Sequence, residues 1–215
     1  MAEAAARMDR MYRWQTGIYD LTRKPYLLGR DRLIEALSPP PGGNVLEIGC
    51  GTGRNLIRAA QRWPAVYFFG FDVSQVMLDK AALEVKRAGS SGKIQLAQGD
   101  ANDFSPGLFH VAQFDRIYFS YTLSMIPSWE RSLEHALERL APGGSIWIAD
   151  FGDQRDLPAA FRTLLRAWLR LFDVHPRTGM ESVLREMSLR HNVDFEFNRL
   201  YGGYSFMACL RRRAN

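Results

Sequence analysis

Five short apolar runs, at residues 44–49, 66–71, 93–97, 114–119 and 145–151, alternate along this chain with segments whose apolar positions recur every three to four residues. Segments 54–62, 74–88 and 129–140 have that spacing, which gathers their apolar side chains on one helical face. Continuous apolar runs of this length read as strands buried on both faces, and their alternation with helices predicts a parallel sheet with right-handed crossovers. Ser128 stands where an N-cap is expected for helix 129–140, and Pro142-Gly143-Gly144 is expected to turn that helix into the strand at 145. After a further helix at 180–190, segments 193–200 and 204–210 flank Gly202-Gly203 and read as a closing antiparallel pair. The expected fold class is α/β: a mostly parallel seven-stranded sheet with helices on both faces.

Two stretches fall outside this alternation. Residues 8–37 form an amphipathic, aromatic-rich leader, with Tyr12, Trp14, Tyr19 and Tyr26 among its apolar positions. It reads as two or three short helices broken near Gly17 and Pro25, forming a cap over the sheet. Ser38-Pro39-Pro40-Pro41-Gly42-Gly43 cannot continue a helix and links the leader to the core. One domain is expected over 1–215, with leader and linker at 1–43 and core at 44–215. The second stretch, 158–172, carries a stripe of Phe161, Leu164, Leu165, Trp168, Leu169 and Phe172 beside a row of Arg162, Arg166 and Arg170. Since the helix at 180–190 already fills the sheet-covering role, this one is additional, and an acceptor-side or membrane-contacting role is expected.

The chemistry concentrates where the first strand ends. Val45-Leu46-Glu47-Ile48 runs into Gly49-Cys50-Gly51-Thr52-Gly53, which opens helix 54–62. Such a strand-loop-helix junction lets a ligand's polar groups approach bare backbone, with helix-start N–H groups available to negative oxygens. The second strand ends in Asp72, nineteen residues after Gly53, where a carboxylate can accept from two ribose hydroxyls. Gln98-Gly99-Asp100-Ala101 follows the third strand, and the fourth runs from Phe114 to Ser120.

These motifs resemble the class I S-adenosylmethionine-dependent methyltransferases, whose first motif is an acid followed by G-x-G-x-G. The resemblance covers about 44–210 and implies a Rossmann-like fold with S-adenosyl-L-methionine as cofactor. It implies a cofactor site made of Glu47, Gly49, Cys50, Gly51, Gly53, Asn55, Asp72, Val73, Asp100, Ala101 and Ser120, with Asp100 as the adenine-side acid. Within the class, Tyr19-Asp20-Leu21-Thr22-Arg23, Leu28-Gly29-Arg30-Asp31 and the Arg54-Asn55 extension are similar to the bacterial betaine-lipid methyltransferases of the BtaB type. That likeness implies successive N-methylation of diacylglyceryl-homoserine, a lipid acceptor at the inner face of the cell membrane. The acceptor's ammonium must then lose its proton so that the uncharged amine can be aligned on the methyl group, and the alkylammonium product can rest on an aromatic face. Tyr19 and Tyr121 are the leading catalytic candidates, followed by Asp20, Ser120 and Ser124. His175, with Arg177, is a weaker candidate for a base or a carboxylate contact.

Composition bounds the partners. The net charge is +5 over 215 residues, which suggests an anionic partner, either an acidic membrane surface or nucleic acid. Nucleic acid is disfavoured because the fourth strand ends Phe119-Ser120-Tyr121-Thr122, without the [N/D]-P-P-[Y/F] motif used on exocyclic base amines. A quinone or small amine is the nearer rival acceptor, and a cofactor-binding protein without activity is a third reading. Two cysteines, Cys50 and Cys209, support neither a disulfide framework nor a metal site. No apolar run approaches the ~18 residues of a membrane-spanning helix, so a cytoplasmic protein is expected. Oligomeric state is left open.

Overall fold

The computed structural model describes residues 27–171, 174–177 and 179–214. The leader before Leu27, including Tyr19, lies outside the described residues, as does Phe172. The elements run α1 (Arg30–Leu37), β1 (Asn44–Ile48), α2 (Arg54–Arg62), β2 (Tyr67–Asp72), α3 (Gln75–Arg87), β3 (Ile94–Gln98), β4 (Phe114–Ser120), α4 (Trp129–Glu138), β5 (Leu140–Phe151), α5 (Ala159–Arg170), α6 (Met180–Arg190), β6 (Val193–Leu200) and β7 (Ser205–Arg212). One short 3-10 turn, Pro106–Leu108, interrupts the loop after β3.

The seven strands form one sheet in the order β3-β2-β1-β4-β5-β7-β6. Pairings from β3 through β5 are parallel, and β7 runs antiparallel to both β5 and β6. The two faces follow the period of two. Val45, Phe68 and Tyr118 pack with α1, α2 and α3 on one side. Their chain neighbours Leu46, Phe69, Ile117 and Phe119 pack with α4 and α6 on the other. Burial on both faces explains why these strands read as unbroken apolar runs.

Local chemistry departs from expectation at three places. β5 begins at Leu140, pairing with Phe114, and its register resumes at Ser145 opposite Arg116. Pro142-Gly143-Gly144 therefore forms a bulge inside the strand and does not precede it. Ser128 sits at the N-cap of α4 without a side-chain capping bond, and its carbonyl accepts from Ser132 Oγ at 3.3 Å. β7 runs past the expected 210 to Arg212, which donates to the carbonyls of Leu137 (2.8 Å) at the end of α4 and Leu140 (2.6 Å) at the start of β5.

The expected additional helix is α5, and its stripe divides. Leu165 and Leu169 are buried with Leu27, Tyr121, Phe151, Val174 and Tyr204, while Phe161 and Leu164 face outward. Two arginines of its row are tied to the loop after β5: Arg166 donates to Gln154 Oε1 (3.1 Å) and the Asp153 carbonyl (2.9 Å), and Arg162, at the surface, to the Arg155 carbonyl (3.4 Å).

Candidate functional site

The sheet reverses its winding between β1 and β4, and the carboxyl ends of these strands are where open α/β sheets bind ligands in a crevice. The loop after β1 is anchored to β2: Gly49 and Cys50 both donate to the Phe71 carbonyl, at 2.9 and 3.0 Å. At Gly49 φ is +73°, and a Cβ there would overlap Thr122 Cγ2, so only glycine lets the loop pass beneath the post-β4 segment. Gly51, at φ +53°, has open space where its Cβ would stand, which leaves bare backbone facing the crevice.

The Gly51 N–H donates to Asp72 Oδ2 at 2.8 Å, and the Ser74 N–H donates to Oδ1 at 2.9 Å. These two backbone donors orient the carboxylate at the end of β2. The Gly99 N–H bonds the Asp72 carbonyl at 3.1 Å, bringing the loop after β3 alongside. Asp100 Oδ1 there accepts from the backbone N–H and the Nδ2 of Asn102, at 2.9 and 3.1 Å, shaping the turn. Ala101 packs half-buried against the core. The Val73 carbonyl accepts from Gln98 Nε2 at 3.0 Å. Ser120 ends β4 with a buried Oγ that has no hydrogen-bond partner among the described residues. An open glycine cradle, an oriented carboxylate and an orphaned hydroxyl around one crevice fit the adenosyl cofactor that the motifs imply.

Glu47 and Asn55 have different surroundings. Asn55 Nδ2 donates to Glu47 Oε1 at 2.8 Å, and the Tyr118 hydroxyl donates to Oε2 at 3.0 Å. Burial pushes the Glu47 carboxyl up to about 8, against lowering by Asn55, Tyr118 and Arg30. Burial likewise raises the Cys50 thiol well above its ordinary value, so it is a neutral packing group at the loop's base. These three residues hold the loop from beneath.

Tyr121 also departs from its expected part. At φ +58° it is buried, with its ring edge-on to Phe151 and its hydroxyl donating to the Leu28 carbonyl at 2.5 Å. Burial raises its phenol far above the ordinary value, which is unsuited to taking a proton near neutrality. It acts as a positioning residue that ties the start of α1 to the post-β4 loop. Ser124, another candidate, donates through its backbone N–H to Asp150 Oδ2 at 3.0 Å. Asp150 went unassigned in the sequence, although an acid closing an apolar strand was a signal. It is buried, pushed up to about 6 by desolvation, and holds the post-β4 loop in place. The His175 N–H bonds the Ser124 carbonyl at 3.1 Å, and Arg177 Nη2 reaches the Ile126 carbonyl at 2.9 Å. Among the described residues no helix is long and apolar enough to cross a membrane, and no group of His, Cys, Asp and Glu is arranged to hold a metal.

Residues 45–144 match a family described as methyltransferase domain. A trans-aconitate 2-methyltransferase from Deinococcus radiodurans is 31% identical over 153 residues, covering 67% of this chain and 55% of the relative. The chain thus spans about half the length of that curated relative and less of the two trans-aconitate methyltransferases from Streptomyces species. In three dimensions the chain resembles a protein from the Haloferax volcanii complex of the Trm112 methyltransferase activator with a methyltransferase. That match has a TM-score of 0.74 at 15% identity and covers 95% of this chain and 98% of the other. Phosphoethanolamine N-methyltransferase 2 of Haemonchus contortus, solved with S-adenosyl-L-methionine, aligns with a TM-score of 0.67 at 15% identity, over 86% of this chain and 52% of its own.

Proposed function

We propose, from the premise that the chain belongs to the class I S-adenosylmethionine-dependent methyltransferases, that it transfers the cofactor's methyl group to a small-molecule acceptor. The observation that carries this reading is the junction after β1, where bare glycine backbone and the Asp72 carboxylate are fixed together by the 2.8 Å bond from Gly51. Gly49, Gly51 and Gly53 would hold the cofactor's amino-acid end, Asp72 its ribose and the Asp100 turn its adenine. When bound, the cofactor supplies a methyl group already activated on sulfur. The chain's own part is alignment and exclusion of water. Asp150 holds the post-β4 loop through Ser124, and Tyr121 closes it against Leu28.

The acceptor we favour is an amine that also carries a carboxylate, of which the homoserine head group of diacylglyceryl-homoserine is the leading example. Support for the amine comes from the Leu28-Gly29-Arg30-Asp31 and Arg54-Asn55 motifs, and from Tyr19-Asp20-Leu21-Thr22-Arg23, which lies outside the described residues. Trans-aconitate, named for the Deinococcus relative, is itself a carboxylated acceptor, which is consistent with an anionic substrate. The outer row of α5, Phe161 and Leu164, would bring the crevice to a lipid surface.

Two measurements test this. In a folded Asp72→Ala protein, calorimetry should show S-adenosylhomocysteine binding weakened by roughly 1.5–3 kcal/mol, the worth of a charge-assisted hydrogen bond. Unchanged affinity would remove Asp72 from the site. Labelled cofactor offered with total lipid extract or with total RNA should mark the lipid fraction, and label in RNA alone would overturn the small-molecule reading.

A further inference from the structure

A second concavity lies beyond the cofactor crevice, between the loop after β5, the start of α6 and the β6–β7 hairpin. Asp153, Arg155, Arg177, Glu181, Ser182 and Arg199 supply its polar lining, over an apolar floor that includes Phe197 and Phe206. Its volume is about 90 Å³. That is room for roughly three waters, and far below the ~300 Å³ at which pockets begin to enclose a whole drug-sized ligand. It suits one functional group of a larger molecule.

Charge decides which group. Arg155 is paired with Asp153 at 2.6 Å, and Arg199 with Glu181 at 3.0 Å and Asp153 at 3.8 Å. Glu181 is also within 3.4 Å of Arg185. Both carboxylates are therefore spoken for. Arg177 has no acidic partner among the described residues; its Nη2 is used by the Ile126 carbonyl, and its buried Nε has no hydrogen-bond partner. Among the described residues four guanidiniums, those of Arg155, Arg177, Arg185 and Arg199, meet two carboxylates, so the pocket favours an anion; its apolar floor and the planar Arg177 fork suit an alkyl carboxylate better than a phosphate. Gly179 begins α6 without a side-chain cap, so first-turn N–H groups at the pocket's edge favour the same sign. The bond from Arg177 to Ile126 joins the pocket to the loop that follows β4, on the acceptor side of the crevice.

We propose that this pocket, with Arg177 as its anchor, seats a carboxylate of the acceptor while the acceptor's reacting end lies over the carboxyl ends of β4 and β5. The inference rests on the acceptor reading above and deepens it: Arg177 becomes the residue that selects acidic acceptors over neutral ones.

The test titrates butyrate, butyramide and inorganic phosphate into the full chain saturated with S-adenosylhomocysteine, followed by NMR. Butyrate should perturb residues around Gly179 and Arg199, butyramide should not, and phosphate should bind more weakly than butyrate. Arg177→Gln should weaken butyrate at least tenfold and leave S-adenosylhomocysteine affinity unchanged. Ser182 is exposed in the first turn of α6, so Ser182→Glu should fold well and repel butyrate to a similar extent. Butyrate binding that survives either substitution overturns the pocket, and so does tighter binding of phosphate or equal binding of butyramide. Failure of S-adenosylhomocysteine to bind the unsubstituted chain would instead strike the methyltransferase reading, so the two failures are separable.

Discussion

Glu47 carries the most consequential single-residue chemistry outside the crevice itself. Its carboxyl is fully enclosed, and desolvation outweighs the donors Asn55 and Tyr118, so its proton is held up to about pH 8 against an ordinary value of 4.5. A carboxyl raised on folding binds its proton more tightly in the native state, so stability falls as pH climbs from the unfolded to the folded value. The native protein should therefore lose stability between about pH 5 and 8, measured by urea unfolding across that range. Glu47→Gln should flatten most of the decline and leave the part below about pH 6 that Asp150, raised for the same reason, contributes. An undiminished slope in the variant would show that Glu47 ionises freely in the native protein. The motif marks Glu47 as an acid of the site; its partner Tyr118 lies 71 residues further on, so its protonation could not be read locally.

At the scale of an element, α5 shows how far periodicity reaches. Its stripe correctly predicts a helix, and the helix observed, Ala159–Arg170, lies within the expected 158–172. Periodicity does not say which part of a wide stripe finds a partner. Leu169 is 0% exposed among Phe151, Tyr204 and Val174, while Leu164, five positions earlier, is 70% exposed. Leu169→Ala should cost about 2–5 kcal/mol of unfolding free energy, as truncations at enclosed sites do. Leu164→Ala should stay within about 0.5 kcal/mol. Chemical denaturation of both variants checks the pair, and equal losses would place Leu164 in a contact. The arginines of the same helix illustrate a similar limit: an acceptor-side or membrane-contacting role was expected of the row, yet Arg166 and Arg162 hold the loop after β5, whose carbonyls and Gln154 stand within their reach.

For the whole molecule, a net charge of +5 draws the chain toward anionic surfaces, but pairing decides where that charge is felt. With two of the three α5 arginines tied to the loop after β5, apolar contact through Phe161 and Leu164 should dominate any attachment there. Sedimentation with anionic vesicles should weaken in Phe161→Ser/Leu164→Ser and change little between low and high salt. A steep salt dependence would restore the arginine row as the anchor. The order of elements, the burial of the inner strands on both faces and the glycine junction with its two following acids were all legible in the sequence, because each depends on spacings within about thirty residues of chain. Tertiary structure alone decided that Tyr121 is a brace, that Arg212 finishes α4 and that Arg177 lines a pocket with Asp153, Glu181 and Arg199. Those outcomes depend on which carbonyls and carboxylates arrive from distant strands, and the local pattern of a chain does not encode the partner's position.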